Sequence, residues 1–333
     1  MNSESIKKWA DAIRSGSRRD LARAITLVES TRNEDTDYAR YLLEELTPDS
    51  GSSDRIGISG LPGAGKSTII ETLGRHLIQG GHKVAVLAID PSSPKTGGSI
   101  LGDKTRMERF SSSDAAFVRP SPAGQTLGGV SRKTKESLLL CEAAGYDVVL
   151  IETTGVGQAE WHVSNMVDYF VVLMLPNAGD FLQGMKRGIL ELADAILVNK
   201  ADGGMKQAAE QAVSEYREAV RLTRGEEAGV LVRMCSGIDE ESVKSIWRDI
   251  SEEITARKED DRRDERRIKQ IRQWIRSIGE DAIWQIMKHD TEKSERLDDL
   301  AKDVWKGRLT PFEAGQTYQN KLIDVLVKHV KQK

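Results

Sequence analysis

Gly60-Leu-Pro-Gly-Ala-Gly65-Lys66-Ser67 carries the clearest chemistry in the chain. It fits G-x-x-x-x-G-K-[ST] and lies between a short apolar run and a helical pattern, the context this spacing requires. Gly63, Ala64 and Gly65 let successive backbone N–H groups face the phosphates of a nucleotide, and the N-terminus of the next helix favours their charge. Lys66 is expected to reach the β/γ oxygens, Ser67 to ligate Mg²⁺, and Thr68 to support the α-phosphate. A glycine-rich turn without a ligand is the bland alternative, and the strand-loop-helix context argues against it.

Asn199-Lys-Ala-Asp202 reads as N-K-x-D after the apolar run Ala195–Val198. An aspartate here can accept hydrogen bonds from the ring N–H and exocyclic amine of guanine. Adenine offers neither donor, and an unpaired buried carboxylate costs on the order of 1–3 kcal/mol or more. Asn199 is expected to tie the base loop to the phosphate loop, and the Lys200 stem to lie on the ring plane. Ser236, within Cys235-Ser-Gly237, stands where a backbone contact could meet the guanine oxygen. An ordinary strand-to-helix turn is the competing reading of Asn199–Asp202.

An acidic shell for the metal follows from three positions. Glu152 opens Glu-Thr-Thr-Gly155, where a carboxylate near Mg²⁺ and a glycine N–H on the γ-phosphate are expected. Mg²⁺ keeps several waters and takes one or two carboxylates. Asp90 ends a strand beside the phosphate loop. Asp103 closes the long stretch Asp90-Pro-Ser-Ser-Pro-Lys-Thr-Gly-Gly-Ser-Ile-Leu-Gly-Asp103, a loop of the length that is usually functional or disordered. Asp103 could instead cap a short helix. Gln158 is placed to orient an attacking water or to pin its loop, and Glu160 is a weaker candidate of the same kind. Asp180 and Lys186 are a lone acid and base in Leu175–Lys186, a third candidate switch that leaves a buried strand through Pro and Gly.

These residues need a scaffold. Apolar runs at Arg55–Ser59, Val84–Ile89, Asp147–Ile151, Phe170–Leu175, Ala195–Val198 and Gly229–Met234 alternate with helical patterns, which predicts a parallel α/β sheet covered on both faces. Before it, residues 5–46 show helical spacing at Ile6, Trp9, Ala10 and Ile13 and again at Leu21, Ala24, Ile25 and Val28, with Ser17 or Asp20 as cap. Thr47–Asp54 has linker composition. Beyond the mixed-charge run Glu259–Arg267, read as a solvated helix face or hinge, apolar residues at Ile268, Ile271, Ile275 and Ile278 repeat at helical spacing. Thr310-Pro-Phe-Glu313 matches a capping box. The division expected is a helical segment 1–50, a nucleotide-binding domain 51–256 and a helical segment 257–333 that needs an apolar partner, from the domain itself or a second subunit.

Bulk properties exclude other classes. Across 333 residues, 30% are charged yet the net charge is −3, so nothing marks a nucleic-acid or anionic-membrane binder. Neither a signal peptide nor a membrane span is legible, and a cytoplasmic location is expected. Cys141 and Cys235, far apart among apolar neighbours, read as buried thiols, and the five histidines show no metal-ligand spacing.

With its motifs placed, the chain resembles the MeaB/MMAA/ArgK-type P-loop GTPases. The resemblance is carried by "GLPGAGKST", "AIDPSSPKTGGSILGDKTRM", "VRPSPAGQTLGGVSRKTKES", "CEAAGYDVVLIETTGVGQAE" and "LMLPNAGDFLQGMKRGILELADAILVNKAD". It implies a mainly parallel α/β GTPase domain with helical N- and C-terminal extensions. It also implies GTP/GDP and Mg²⁺ as ligands, and a chaperone function toward an adenosylcobalamin-dependent acyl-CoA mutase. Such proteins couple GTP hydrolysis to cofactor loading and to removal of damaged cobalamin. The implied partners are the mutase and an adenosyltransferase, with a second copy in a homodimer and no cobalamin site of the chain's own. By motif, Lys66 and Ser67 would hold phosphate and metal, and Asp90, Asp103 and Glu152 would form the acidic shell. The segments around Asp90–Asp103, Glu152–Glu160 and Leu175–Lys186 would be switches, with Asp180 and Lys186 as polar actors in the last. The chain departs from the family pattern in "PNAGDFLQG" and "ETTGVGQAEWHVSN", which leaves the client open between methylmalonyl-CoA mutase and a branched- or hydroxyacyl-CoA relative. The competing functions are a GTPase metallochaperone for another metal, such as nickel, and a transport-associated ATPase or kinase.

Overall fold

A computed structural model describes residues 3–30, 32–90, 107–122, 127–153, 159–177, 187–226, 229–291 and 296–331. Seven parallel strands form one sheet in the order β3-β2-β4-β1-β5-β6-β7. They are β1 (Asp54–Gly60), β2 (Val84–Asp90), β3 (Ala116–Pro122), β4 (Val148–Thr153), β5 (Tyr169–Met174), β6 (Ala195–Val198) and β7 (Leu231–Met234). The helices, in chain order, are α1 (Ser3–Arg14), α2 (Arg18–Glu29), α3 (Asn33–Leu46), α4 (Lys66–Gln79), α5 (Glu108–Ser111), α6 (Leu127–Ala143) and α7 (Ala159–Ser164). They continue with α8 (Arg187–Leu192), α9 (Lys206–Arg224), α10 (Glu240–Glu259), α11 (Arg262–Thr291), α12 (Arg296–Trp305) and α13 (Pro311–Lys331).

Successive strand residues point to opposite faces, so a sheet buried on both sides needs apolar residues at every position. In β5, Phe170, Val172 and Met174 enter one core layer while Tyr169, Val171 and Leu173 enter the other. In β4, Val149 and Ile151 join the first layer and Val148 and Leu150 the second. The first layer also receives Ile6, Ala10 and Ile13 of α1, Leu21 and Ile25 of α2, and Leu42 and Leu46 of α3. The second is closed by α4 and α10 through Ile69, Leu73, Val243 and Ile246.

Strand β3 has no counterpart in the sequence reading. Its segment Ala-Phe-Val-Arg-Pro-Ser-Pro breaks the apolar run with Arg119 and two prolines. Proline cannot donate to a ladder on both sides, and β3 is an edge strand, where that defect is tolerated. Ser17 is the cap of α2, its side chain accepting from the backbone N–H of Asp20. The capping box at α13 forms in both directions: Glu313 N–H donates to Thr310 Oγ1 at 3.2 Å, and Thr310 N–H donates to Glu313 Oε2 at 2.9 Å. Both cysteines are buried thiols.

The chain divides into two compact units, Met1–Ile268 and Lys269–Lys333, the boundary falling inside α11. The segment read as a polar linker is fastened within the first unit. Glu142 Oε1 accepts from Ser53 Oγ at 2.5 Å and Glu142 Oε2 from Gly51 N–H at 2.8 Å, while Arg55 holds both carboxylate oxygens. Part of the mixed-charge run also turns inward. Arg267 grips Asp168 with two bonds of 2.7 and 2.6 Å and donates to the Ser53 carbonyl, and Arg266 pairs with Asp194 at 2.9 Å. Among the described residues no helix is long and apolar enough to cross a membrane.

Candidate nucleotide site

Strand β1 is central, paired with β4 on one side and β5 on the other. The chain leaves it toward β2 on one side, while β5 to β7 are added on the other. Such a switch in strand order opens a crevice at the carboxyl ends of the strands, and the Gly60–Ser67 loop lies there. Gly63 and Gly65 adopt φ of 76° and 90°, the left-handed region that favours glycine. Gly65 caps α4 without any side-chain hydrogen bond, so the first-turn N–H groups of a 14-residue helix are left for an anion. Lys66 is buried and its Nζ folds back onto the loop, donating to the carbonyls of Gly60 at 3.0 Å and Leu61 at 3.1 Å. Thr68 is exposed on the first turn of α4.

Glu152 comes to this loop because β4 pairs with β1 in a register that sets it opposite Ile58. Ser67 Oγ donates to Glu152 Oε1 at 3.1 Å. A hydroxyl and a carboxylate at that separation are the hard oxygen donors that Mg²⁺ takes, so the pair fits a divalent cation bound beside phosphate. Beneath them Thr153 Oγ1 donates to Ser59 Oγ at 2.8 Å in the buried seam between β4 and β1. Asp90 closes β2, in register with Pro122. The side chain of Asp90, and the residues Asp103, Gly155, Gln158, Asp180 and Lys186, lie outside what is described.

The base end is assembled by Asn199, which is 2% exposed. Its Nδ2 donates to the Ala64 carbonyl at 2.6 Å, fastening the end of β6 to the phosphate loop, as its position in N-K-x-D predicted. Its Oδ1 accepts from Gly237 N–H at 2.9 Å and from the Cys235 thiol at 3.5 Å. Burial pushes that thiol up to about 12, so it stays protonated as a donor. Lys200 is exposed with φ of 62°, and Asp202 is exposed with Oδ1 accepting from Ser236 Oγ at 2.8 Å. Ser236 thus meets Asp202 through its hydroxyl, a role the sequence reading did not give it. Asp202 and Ser236 border a cavity of about 780 Å³ that runs on past Arg217 and Arg233.

Sequence reasoning missed the partners that brace these groups. Thr72 Oγ1 donates to the Gly237 carbonyl at 2.8 Å, and Ser242 Oγ accepts from Ser236 N–H at 3.0 Å. Nothing in the sequence singled out Thr72, which follows Glu71 six positions after Lys66 in α4. A second unread feature lies on α6 and α7. Lys135 of α6 is buried, and desolvation pulls its amine down to about 8. Burial, and then the Lys135 charge, lower His162 on α7 as well.

A parallel α/β sheet with a phosphate-cradling loop after its central strand and an N-K-x-D turn braced against that loop defines a P-loop GTPase. Comparison with known proteins narrows the class. The profile of the family described as "Methylmalonyl Co-A mutase-associated GTPase MeaB" matches residues 21–292, and the chain belongs to that family. It is therefore a GTP-hydrolysing protein of a mutase-associated group. Over 319 residues it is 47% identical to the "Probable GTPase Rv1496" of Mycobacterium tuberculosis, covering 94% of each chain. It is 40% identical over 314 residues to the mouse protein named "Methylmalonic aciduria type A homolog, mitochondrial", covering 90% of this chain and 75% of the relative. A crystal structure described as an LAO/AO transport system kinase superposes with a TM-score of 0.76 at 33% identity, covering 98% of this chain and 99% of the other.

Proposed function

We propose that the chain is a cytoplasmic GTPase chaperone that gates loading of adenosylcobalamin onto an acyl-CoA mutase and supports protection and reactivation of that enzyme. The observation that carries this reading is the tie between the phosphate loop and the N-K-x-D turn through Asn199, in a chain of the mutase-associated family. Methylmalonyl-CoA mutase is the default client, and a branched- or hydroxyacyl-CoA mutase is the variant reading. Lys66 leaves the Gly60 and Leu61 carbonyls for the β/γ-phosphate oxygens when nucleotide binds. Ser67 and Glu152 hold Mg²⁺, whose charge offsets that developing on the phosphates, and Asp90 and Asp103 complete the acidic shell. Gln158 orients the attacking water and Gly155 meets the γ-phosphate. Asp180 and Lys186 act in the segment that signals to the mutase. Residues 1–50, 51–256 and 257–333 serve as helical lead, GTPase domain and dimerisation segment, with an adenosyltransferase as a further partner.

Transport-associated kinase activity is the second reading, favoured by the description of the superposed crystal structure. One experiment separates the two: turnover of GTP and ATP by the purified chain, alone and with methylmalonyl-CoA mutase, alongside transfer of adenosylcobalamin to the apo-mutase. The proposal expects GTP preference, mutase-stimulated turnover and nucleotide-dependent cofactor transfer. Equal use of ATP with phosphate appearing on an acceptor protein would replace it with the kinase reading.

A further inference from the structure

The geometry points to Thr72 as a positioning residue for base recognition, fixing the distance between the phosphate cradle and the base reader. This rests on the guanine reading of Asp202. Helix α4 begins at Lys66 and Ser67, and Thr72 lies five residues beyond Ser67 on the same rigid element, about 7.5 Å along the axis. There its hydroxyl donates to the Gly237 carbonyl at 2.8 Å. One turn earlier, Ile69 packs so close to Gly237 that a Cβ there would stand 2.7 Å from Ile69 Cγ1. Two successive turns of the phosphate-binding helix therefore hold one residue of the base loop, Gly237.

Gly237 and its neighbour Ser236 hold both polar side chains of the N-K-x-D turn. Gly237 N–H fixes Asn199 Oδ1, and the adjacent Ser236 hydroxyl fixes Asp202 Oδ1. Losing the Thr72 bond frees the Gly237–Ile238 peptide, and the Ser236–Gly237 peptide shifts with it through the Gly237 backbone torsions. Asp202 then meets its two donors out of line, because a hydrogen bond weakens steeply with angle. A bidentate contact suffers more from such a tilt than a single one. Guanosine diphosphate, which presents ring N–H and 2-amino group together, must lose more than inosine diphosphate, which lacks the amine.

The test is direct titration of GDP and IDP into the wild type, Thr72→Val and Thr72→Ser. Valine keeps the shape and removes the donor, and serine restores it. Thr72→Val is expected to weaken GDP about fivefold, the scale of one hydrogen bond, and IDP about twofold, so that the GDP:IDP preference narrows. Thr72→Ser is expected to recover the wild-type preference. A simple loss of packing would lower thermal stability without changing the ratio. An unchanged ratio in Thr72→Val, or a serine variant as poor as valine, overturns the inference. A wild type that binds GDP and IDP equally would overturn the Asp202 assignment instead, and the inference with it.

Discussion

Alanine at Gly65 probes whether the phosphate loop and the base loop are one mechanical piece. Gly65 sits at φ 90°, and a side chain there costs roughly 1–2 kcal/mol of backbone strain. An added Cβ would stand 2.4 Å from Asn199 Nδ2, which already donates to the Ala64 carbonyl at 2.6 Å. Asn199 is nearly inaccessible, so displacing its amide leaves buried polar groups unpaired for about 1–3 kcal/mol more. The sum is about 2–5 kcal/mol. Gly63→Ala is the matched control: its φ is 76°, and no described atom lies within 4 Å of its would-be Cβ, so only the strain remains. Urea denaturation of the nucleotide-free chain measures each cost. The discriminating measurement is the cycle with Asn199→Ala, which removes the clashing amide. In that background Gly65→Ala is expected to cost no more than Gly63→Ala, a coupling of about 1–3 kcal/mol. Equal costs for the two glycine variants, with additive behaviour in the cycle, would refute the idea that the loops are braced through Asn199.

Three further outcomes are expected. Asp202→Ala should reduce the preference for GTP over ATP in a turnover assay while leaving the fold intact, since the side chain is exposed; unchanged selectivity would remove the base assignment. Arg267→Ala should destabilise the first unit by about 3–5 kcal/mol by stranding the buried Asp168 carboxylate, whereas Arg267→Met with Asp168→Asn should cost clearly less. Denaturation midpoints decide between them. Lys135, pulled down to about 8 from its ordinary 10.5, opposes folding fully below pH 8, and the penalty fades as pH rises from 8 to 10.5. Lys135→Met should therefore raise the melting temperature at pH 7 by more than at pH 10, and a gain independent of pH would contradict the burial argument.

What could be read before the structure was whatever a short window of chain encodes. Gly60–Ser67 and Asn199–Asp202 announce their chemistry because the backbone turn and the reacting groups lie within a few residues of one another. The strands β4, β5 and β6 were legible because burial on both faces makes nearly every residue apolar, with only Glu152 and Thr153 at the site end of β4 departing from the pattern. Strand β3 was not, because Pro120 and Pro122 mimic a loop and only the edge position makes them tolerable. The same limit applies to charge. Nothing local distinguishes Arg266 and Arg267 from their solvated neighbours; docking on the sheet ends makes them partners of Asp194 and Asp168. Lys135 belongs with them, being titratable near neutral pH only because folding buries it.

Local motifs and apolar runs were enough to reveal the parallel sheet and the family. The tertiary structure decided how the site is held: Ala64 to Asn199, 135 residues apart, and Thr72 to Gly237, 165 apart. Such bonds depend on which elements become neighbours across the sheet. Their donors and acceptors are ordinary polar groups that carry no pattern of their own, so only the packed arrangement of β1, β6, β7 and α4 reveals them.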